Sequence, residues 1–245
     1  DNVASSSGKY YTLQNDINAS ATTNWNGGLG FSPIGNDVTN FVGIFNGNGK
    51  VITGLSITRP GQSYVGLFGY MGSGAEVRNL GLAGGAVTGS AYVGGLAGYT
   101  WGPVSNCYAT GSVMGTNDYV GGLVGYTYYT CTVNDCYATG PVTGSSRVGG
   151  LVGQIDGGTV SGCYATGSVM GTGDYYVGGL VGRNFGGAVS GCCATGPVTG
   201  NTQVGGLLGM NDCGPVSGSY ATGPVTGSSH VGGLVGYTYG GTLSE

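Results

Sequence analysis

The stretch Tyr119-Val120-Gly121-Gly122-Leu123-Val124-Gly125-Tyr126 sets what this chain can fold into, because its Val120 recurs in near copies as Val93, Val148, Val177, Val204 and Val231, with a shorter version at Val65. Successive copies lie 27 to 29 residues apart. A period of this length marks one supersecondary unit stacked along an axis, since a single unit cannot bury its apolar face without a neighbour on either side. From about Val65 to the end the chain therefore reads as one elongated body with no linker.

Within one period three short apolar pieces are separated by glycine: Val104 to Ala109, Ser112 to Met114, and Tyr119 to Val124. Pieces this short, rich in Val, Tyr and Thr and bounded by Gly, are strands and not helices. The expected fold is all-β: a right-handed parallel β-helix, a three-sided solenoid of about nine coils. At the ~4.8 Å spacing of paired strands those coils would make a rod on the order of 40 Å long. Fifty-eight Gly and only 7% charged residues would suit a disordered chain, but 40% of the residues are apolar and recur in register, so a thin core can form.

Residues 1–60 follow the period only loosely and are expected to form opening coils that cover the first end of the stack, with residues 61–245 as the repeats proper, ending in an incomplete coil. Tyr10 to Leu13 reads as a strand and Trp25 to Pro33 as a loop. Phe41 to Phe45 reads as an early form of the recurring stretch, Asn46-Gly47-Asn48-Gly49 as a turn, and Val51 to Ile57 as an alternating strand.

Aligned copies separate inside from outside. Cys107, Cys136, Cys163 and Cys192 stand where earlier copies carry Leu55 and Leu80, and Ala109, Ala138 and Ala165 where earlier copies carry Ile57 and Leu82, so both sets are expected to point inward. Their alternates then point outward: Tyr108, Tyr137, Tyr164, Cys193 and Tyr220 in one column, and Thr110, Thr139, Thr166, Thr195 and Thr222 in another. In the recurring stretch Leu123 and Val124 compete for the interior. The Leu123 column, read as Ile44, Leu67, Leu96, Leu151, Leu180, Leu207 and Leu234, is the more uniform and is favoured. The segment Ser112-Val113-Met114 alternates with Pro141-Val142-Thr143 in every second coil until Pro224-Val225-Thr226 breaks the order, a pattern with no physical account beyond duplication of a two-coil unit.

These repeats resemble the GLUG-motif family, named for Gly-Leu-any-Gly. The phrase stands here at Gly95-Leu96-Ala97-Gly98, Gly122-Leu123-Val124-Gly125, Gly150-Leu151-Val152-Gly153, Gly179-Leu180-Val181-Gly182, Gly206-Leu207-Leu208-Gly209 and Gly233-Leu234-Val235-Gly236. The accompanying Cys-Tyr-Ala-Thr-Gly phrase and the Asn46-Gly47-Asn48-Gly49 opening are similar as well. The resemblance implies secreted or surface-anchored proteins with parallel β-helical repeats, often parts of large bacterial adhesins, and it implies no catalytic residue.

The chemistry-bearing residues give no enzyme. Seven Cys, no Cys-x-x-Cys pair and one His make a zinc site improbable, and no metal or cofactor is expected. The inward Cys column reads as buried, inert thiols that fill a narrow core, with Cys193 outward and Cys131 and Cys213 in corner loops. Asp118 with Asp174, and Asp156 with Asp212, share registers two coils apart, about 10 Å, and read as solvated corner carboxylates. The six basic residues are scattered and the net charge is −4, which argues against nucleic acid, and no apolar run of membrane-spanning length exists. Asn18-Ala19-Ser20 fits a glycosylation sequon.

Two functions from different classes fit. In the first, the chain is a non-enzymatic extracellular filament subunit that stacks head to tail on itself, through Tyr10, Tyr11 and Leu13 at one end and Val231, Leu234 and Leu243 at the other. The start at Asp1 without an initiator Met suits a mature or excised form, and the stop partway through a coil suits assembly. In the second, it is a segment of a cell-surface adhesin whose Tyr and Thr columns bind glycans, or, more weakly, order water as an ice-binding face does. Stacked side chains that merely stabilise a parallel sheet are the bland alternative for those columns.

Overall fold

Backbone groups in short Val- and Thr-rich pieces need partners outside their own piece, and the repeat provides them one coil above and below. In the computed structural model, which describes residues 8–245, every pairing between strands of adjacent coils is parallel. Residues 1–7, the start of the expected opening segment, lie outside the described residues. One coil runs Val104–Ser105, Tyr108–Ala109, Ser112–Gly115, Val120–Gly121 and Val124–Tyr128. The first two pieces share one sheet and the other three each build their own, so four sheets line the solenoid. The all-β parallel solenoid is as expected. The third expected side is carried by two sheets, because the recurring stretch breaks at Gly122-Leu123.

That break explains the motif. Leu123 and Val124 are both fully buried, as are Leu151 with Val152 and Leu180 with Val181. Two consecutive inward side chains are incompatible with one flat strand, so the corner buries Leu123, as favoured, and Val124 beside it. The flanking glycines answer to steric crowding between coils. A Cβ on Gly122 would lie 2.2 Å from the Gly150 carbonyl oxygen, and one on Gly125 would lie 2.5 Å from the Gly98 carbonyl oxygen.

Among the described residues nearly no helix is present, and the solenoid has about seven turns, not nine. The difference lies in the opening, where chain length is spent on irregular structure. Ser20–Gly28 forms a 3₁₀ segment, broken at Trp25–Gly27, where a loop was expected from Trp25 onward. Tyr10–Thr12 and Ile17–Asn18 both pair with the long strand Ile44–Thr53. That strand pairs in turn with Glu76–Ala83, the partner of Val104–Ala109 one coil later. Ile44 is therefore not in the Leu123 column. The opening's counterpart of Val124 is Ile34, which bridges Phe68, itself paired with Ala97. Likewise Ile52, not Ile57, stands in the Ala109 column, and Ile57 pairs with Val87. Leu55 and Ile57 are buried as expected, but in other columns.

The Asn46–Gly49 turn is instead an irregularity inside the Ile44–Thr53 strand, with a register shift between Asn46 and Lys50. Its counterpart recurs up the stack. Asn79, Asn106, Asp135, Gly162, Gly191 and Gly218 all take φ between 51° and 61°. This left-handed residue splits the first side into its two pieces, and Asn, Asp and Gly are the types that adopt it at least cost.

At the first end of the stack the opening leaves a pocket of about 250 Å³, lined by Leu13, Ile17, Trp25, Phe31, Phe45 and Leu67 among others. At the other end Val231 is 45% exposed, whereas Val204 one coil earlier is fully buried.

Candidate functional site

The outward tyrosines fall where the alternation places them. Tyr108 pairs with Tyr137, and Tyr137 with Tyr164, in consecutive coils. Their rings stack face to face, with centroids 4.8 and 4.7 Å apart and interplanar angles of 5°. The Tyr108 ring lies over Gly81, the residue below it in the column. Cys193 continues the column between Tyr164 and Tyr220. Thr110 and Thr139 are half-buried, while Thr166, Thr195 and Thr222 are exposed. The geometry leaves ring edges and hydroxyls in water, and ring faces against each other.

A second tyrosine system, larger and not singled out from the sequence, lies at the corner of the recurring stretch. Tyr64, Tyr92, Tyr119, Arg147, Tyr176, Gln203 and His230 precede the recurring valine in seven successive coils, each with φ between 52° and 65°. A bulky residue in that region costs on the order of 1 kcal/mol or more. In the first coils ring packing offsets it: Tyr64–Tyr92 and Tyr92–Tyr119 stack at 4.8 and 4.5 Å. Beside this column runs another, Tyr70, Tyr99 and Tyr126, stacked at 4.5 and 5.0 Å. The two columns meet edge to face, as Tyr64–Tyr70 at 5.4 Å and Tyr119–Tyr126 at 5.3 Å. Face-to-face contacts along the rod and edge-to-face contacts across it satisfy the ring quadrupoles in both directions. Burial, the largest cause in each case, raises the phenol of Tyr92 to about 12 and pushes those of Tyr99 and Tyr126 higher still. The signal was in plain view: the recurring stretch begins and ends with Tyr.

Further along, the same columns turn polar. The Arg147 guanidinium sits 4.9 Å from the Tyr119 ring and 5.3 Å from the Tyr176 ring, and Arg183 sits 5.7 Å from Tyr176. The corner carboxylates are consequently not simply solvated. Asp118 pairs with Arg147, Asp212 pairs with Arg183 at 2.7 Å, and Asp156 accepts the Tyr126 hydroxyl at 2.7 Å. Asp174 accepts from the Asn201 side chain. Each arginine thus links a carboxylate to an aromatic ring, an exchange of stacking partner that keeps the ladder continuous.

All seven cysteines are free thiols, and Cys107, Cys136, Cys163 and Cys192 are buried. They do more than fill space. The backbone N–H of Cys107 donates to the Cys136 sulfur, Cys136 to Cys163, and Cys163 to Cys192, each at 3.4 Å. Each sulfur also lies 3.1–3.2 Å from the carbonyl two residues back in its own chain. Ser219 takes the same place in the next coil, accepting from the Cys192 N–H at 3.0 Å. The left-handed residue before each cysteine turns this N–H away from the regular ladder, and the next coil's thiol accepts it. The hydrogen bond to the neighbouring thiol, ahead of burial, raises Cys163 to about 12 and also raises Cys136 and Cys192, so the apolar setting is the lesser cause. Cys131, buried in its corner, is raised to about 12 by desolvation. Cys213 is exposed.

Of the expected assembly residues, Tyr10 is 70% exposed in the terminal strand of the first sheet, and Tyr11 packs its ring 6.0 Å from Phe41. Leu13 lines the pocket. Leu243 is 51% exposed, and Leu234 is partly buried against the core. Among the described residues no three His, Cys, Asp or Glu side chains converge as a metal-binding group, and no helix is long and apolar enough to cross a membrane.

The fold resembles that of a solved structure described as a "putative immunoglobulin A1 protease from Bacteroides ovatus", with a TM-score of 0.74 over 98% of this chain and 79% of the other, at 21% identity. Halomucin from Haloquadratum walsbyi is 42% identical over 118 residues, 47% of this chain but 1% of halomucin. A "Putative Gly-rich membrane protein" from Evansella cellulosilytica is 41% identical over 111 residues, 43% of this chain and 13% of that protein. The chain thus spans a small fraction of both relatives. The GLUG motif matches residues 89–114, 116–143, 144–170 and 173–199. The unit whose glycines admit the neighbouring coil and whose Leu and next residue fill the corner is the one the GLUG motif describes, matched in four copies across residues 89–199.

Proposed function

We propose that the chain is a non-enzymatic structural rod of an extracellular or cell-surface protein, whose end coils join head to tail to another solenoid end, so that the stack runs on as a filament. The observation that carries this reading is the unbroken register of the coils: Val120 pairs with Val148, Val148 with Val177, Val177 with Val204 and Val204 with Val231, all parallel, so each coil is a template for the next. Parallel coils that pair in this way accept a further coil of the same kind through the same backbone groups. Electron microscopy of the protein should show thin unbranched fibres, and removal of residues 1–13 should abolish them while the repeats stay folded. A chain that remains monomeric at high concentration in light scattering would overturn the filament.

A second reading is favoured by the small share of halomucin and of the Gly-rich protein that this chain spans. Here the rod is one segment of a long surface polypeptide, and the next stretch of the same chain covers the last coil. Glycan binding through Tyr108, Tyr137 and Tyr164 draws less support, because sugar stacking needs a ring face, and both faces of Tyr137 and one face each of Tyr108 and Tyr164 are engaged with a neighbouring ring.

A further inference from the structure

We infer that the corner tyrosine cluster is a radical sink, in which a one-electron oxidant acting at the exposed rim withdraws an electron from Tyr126 while the phenolic proton of Tyr126 passes to Asp156. The inference rests on two independent features, a continuous path of rings and a base placed at one point on it.

The path begins at side chains that solvent reaches. Tyr129 is 70% exposed and Trp101 is 40% exposed. Tyr129 lies 6.0 Å from Tyr128, and Trp101 lies 4.7 Å from Tyr128, centroid to centroid. Tyr128 lies 6.3 Å from Tyr99, which stacks on Tyr126 at 5.0 Å with an interplanar angle of 6°. Centroid separations along this path run from 4.7 to 6.3 Å, so an electron vacancy created at the rim can move inward by short hops.

The base decides where it stops. A phenol gives up an electron readily only if its proton leaves too, because the phenol radical cation is a strong acid. Tyr126 donates its hydroxyl to Asp156 Oδ2 at 2.7 Å. Tyr70, in the same column, instead accepts from the Trp101 indole N–H at 3.0 Å. Burial keeps the Tyr126 phenol protonated before oxidation. The step balances simply. The oxidant, a photogenerated metal complex or a haem-peroxidase oxidised state, gains one electron, and the proton moves from Tyr126 Oη to Asp156 Oδ2. A neutral phenoxyl radical and a neutral carboxylic acid remain, with no heavy-atom bond made or broken. A one-electron reductant of the thiol or ascorbate class reverses the step, and Asp156 returns the proton. Such a sink would divert oxidising equivalents from the thiols and the backbone of a rod outside the cell.

The test uses the whole chain with photogenerated tris(bipyridine)ruthenium(III) as oxidant, reading tyrosyl radical by transient absorption and electron paramagnetic resonance. Wild type should form a neutral tyrosyl radical. Asp156→Asn keeps a hydrogen-bond acceptor but removes the base, and should slow radical formation at least about tenfold, general-base contributions being about 10²–10⁴. Tyr126→Phe keeps the stacking ring and should cut the radical yield by a similar factor. Tyr137→Phe, on the other tyrosine column, should leave rate and yield unchanged. Equal rates in wild type and Asp156→Asn, or an undiminished signal in Tyr126→Phe, would overturn the inference, and unchanged circular dichroism in the variants separates either result from misfolding.

Discussion

The molecule carries two tyrosine systems, both spaced by one coil, and they differ in what surrounds each ring. Tyr108, Tyr137 and Tyr164 form a single file on a flat side, in which Tyr137 touches a ring on each face and Tyr108 and Tyr164 each touch one. Tyr92, Tyr99, Tyr119 and Tyr126 sit at a corner in two interleaved files, so each ring also meets a neighbour edge-on. The same residue at the same spacing is thus a surface ladder in one place and a half-buried aromatic cluster in the other. Column periodicity alone does not separate these cases. What separates them is whether the backbone turns a corner, bringing a second outward column into reach of the first.

The largest effect should come from the side chains beneath the corner. Leu151→Ala should cost about 2–5 kcal/mol, and Val152→Ala should also be clearly destabilising, because both are fully buried. Denaturant melts in which Val152→Ala is neutral would show that the corner buries only one of the two, which would return the stretch to a single strand and put the two tyrosine systems on comparable ground.

The comparison itself is tested one step down in size. Tyr99→Ala removes a ring with neighbours on both faces and on its edge, and should cost about 2–3 kcal/mol, short of the full Phe→Ala range because the ring is half-buried. Tyr137→Ala should cost about 1 kcal/mol, in line with cross-strand pair energies. A double-mutant cycle on Tyr99 and Tyr126 should return a coupling of about 0.5–1.5 kcal/mol. Equal losses for Tyr99→Ala and Tyr137→Ala would mean that the corner adds nothing to a simple ladder.

The repeat body was legible in the sequence because burial there follows alternation: Cys107, Ala109, Tyr108 and Thr110 all lie on the sides their alternation assigns. Legibility failed where the backbone leaves the extended region. The opening was misaligned because Asn48 and Gly49, with φ of 54° and 71°, sit inside a strand that continues past them. A turn signal and a left-handed step within a strand use the same residue types. The corner ladder was missed for a related reason. Tyr64, Tyr92 and Tyr119 occupy left-handed positions that sequence patterns associate with Gly and Asn, so nothing marked them as a column with its own orientation. The carboxylates of Asp118 and Asp212 showed no basic partner because their arginines come from a neighbouring coil, the next one for Asp118 and the preceding one for Asp212, 29 residues away in each case.

The smallest expected effect concerns what lies behind the outward tyrosine file, and it sharpens the contrast with the corner. Tyr108, Tyr137 and Tyr164 each follow a cysteine whose sulfur accepts a backbone N–H or whose own N–H needs such an acceptor. If these thiols only filled space, Cys136→Ala and Cys136→Ser would be ranked by polarity, with Ser the worse in an apolar core. If the acceptor matters, the order reverses. Cys136→Ala leaves the Cys107 N–H without its partner and should cost about 1–2 kcal/mol, whereas Cys136→Ser keeps an acceptor and a donor in place and should cost about 1 kcal/mol or less. Ser219 already occupies this position, accepting from the Cys192 N–H and donating to the Ser217 carbonyl at 2.8 Å. Chemical denaturation of the two variants under reducing conditions, with an unchanged m-value to confirm a common unfolding reaction, decides between them. A serine variant less stable than the alanine variant would reduce the column to packing alone, and the flat side would then be held by its outer tyrosines more than by its spine.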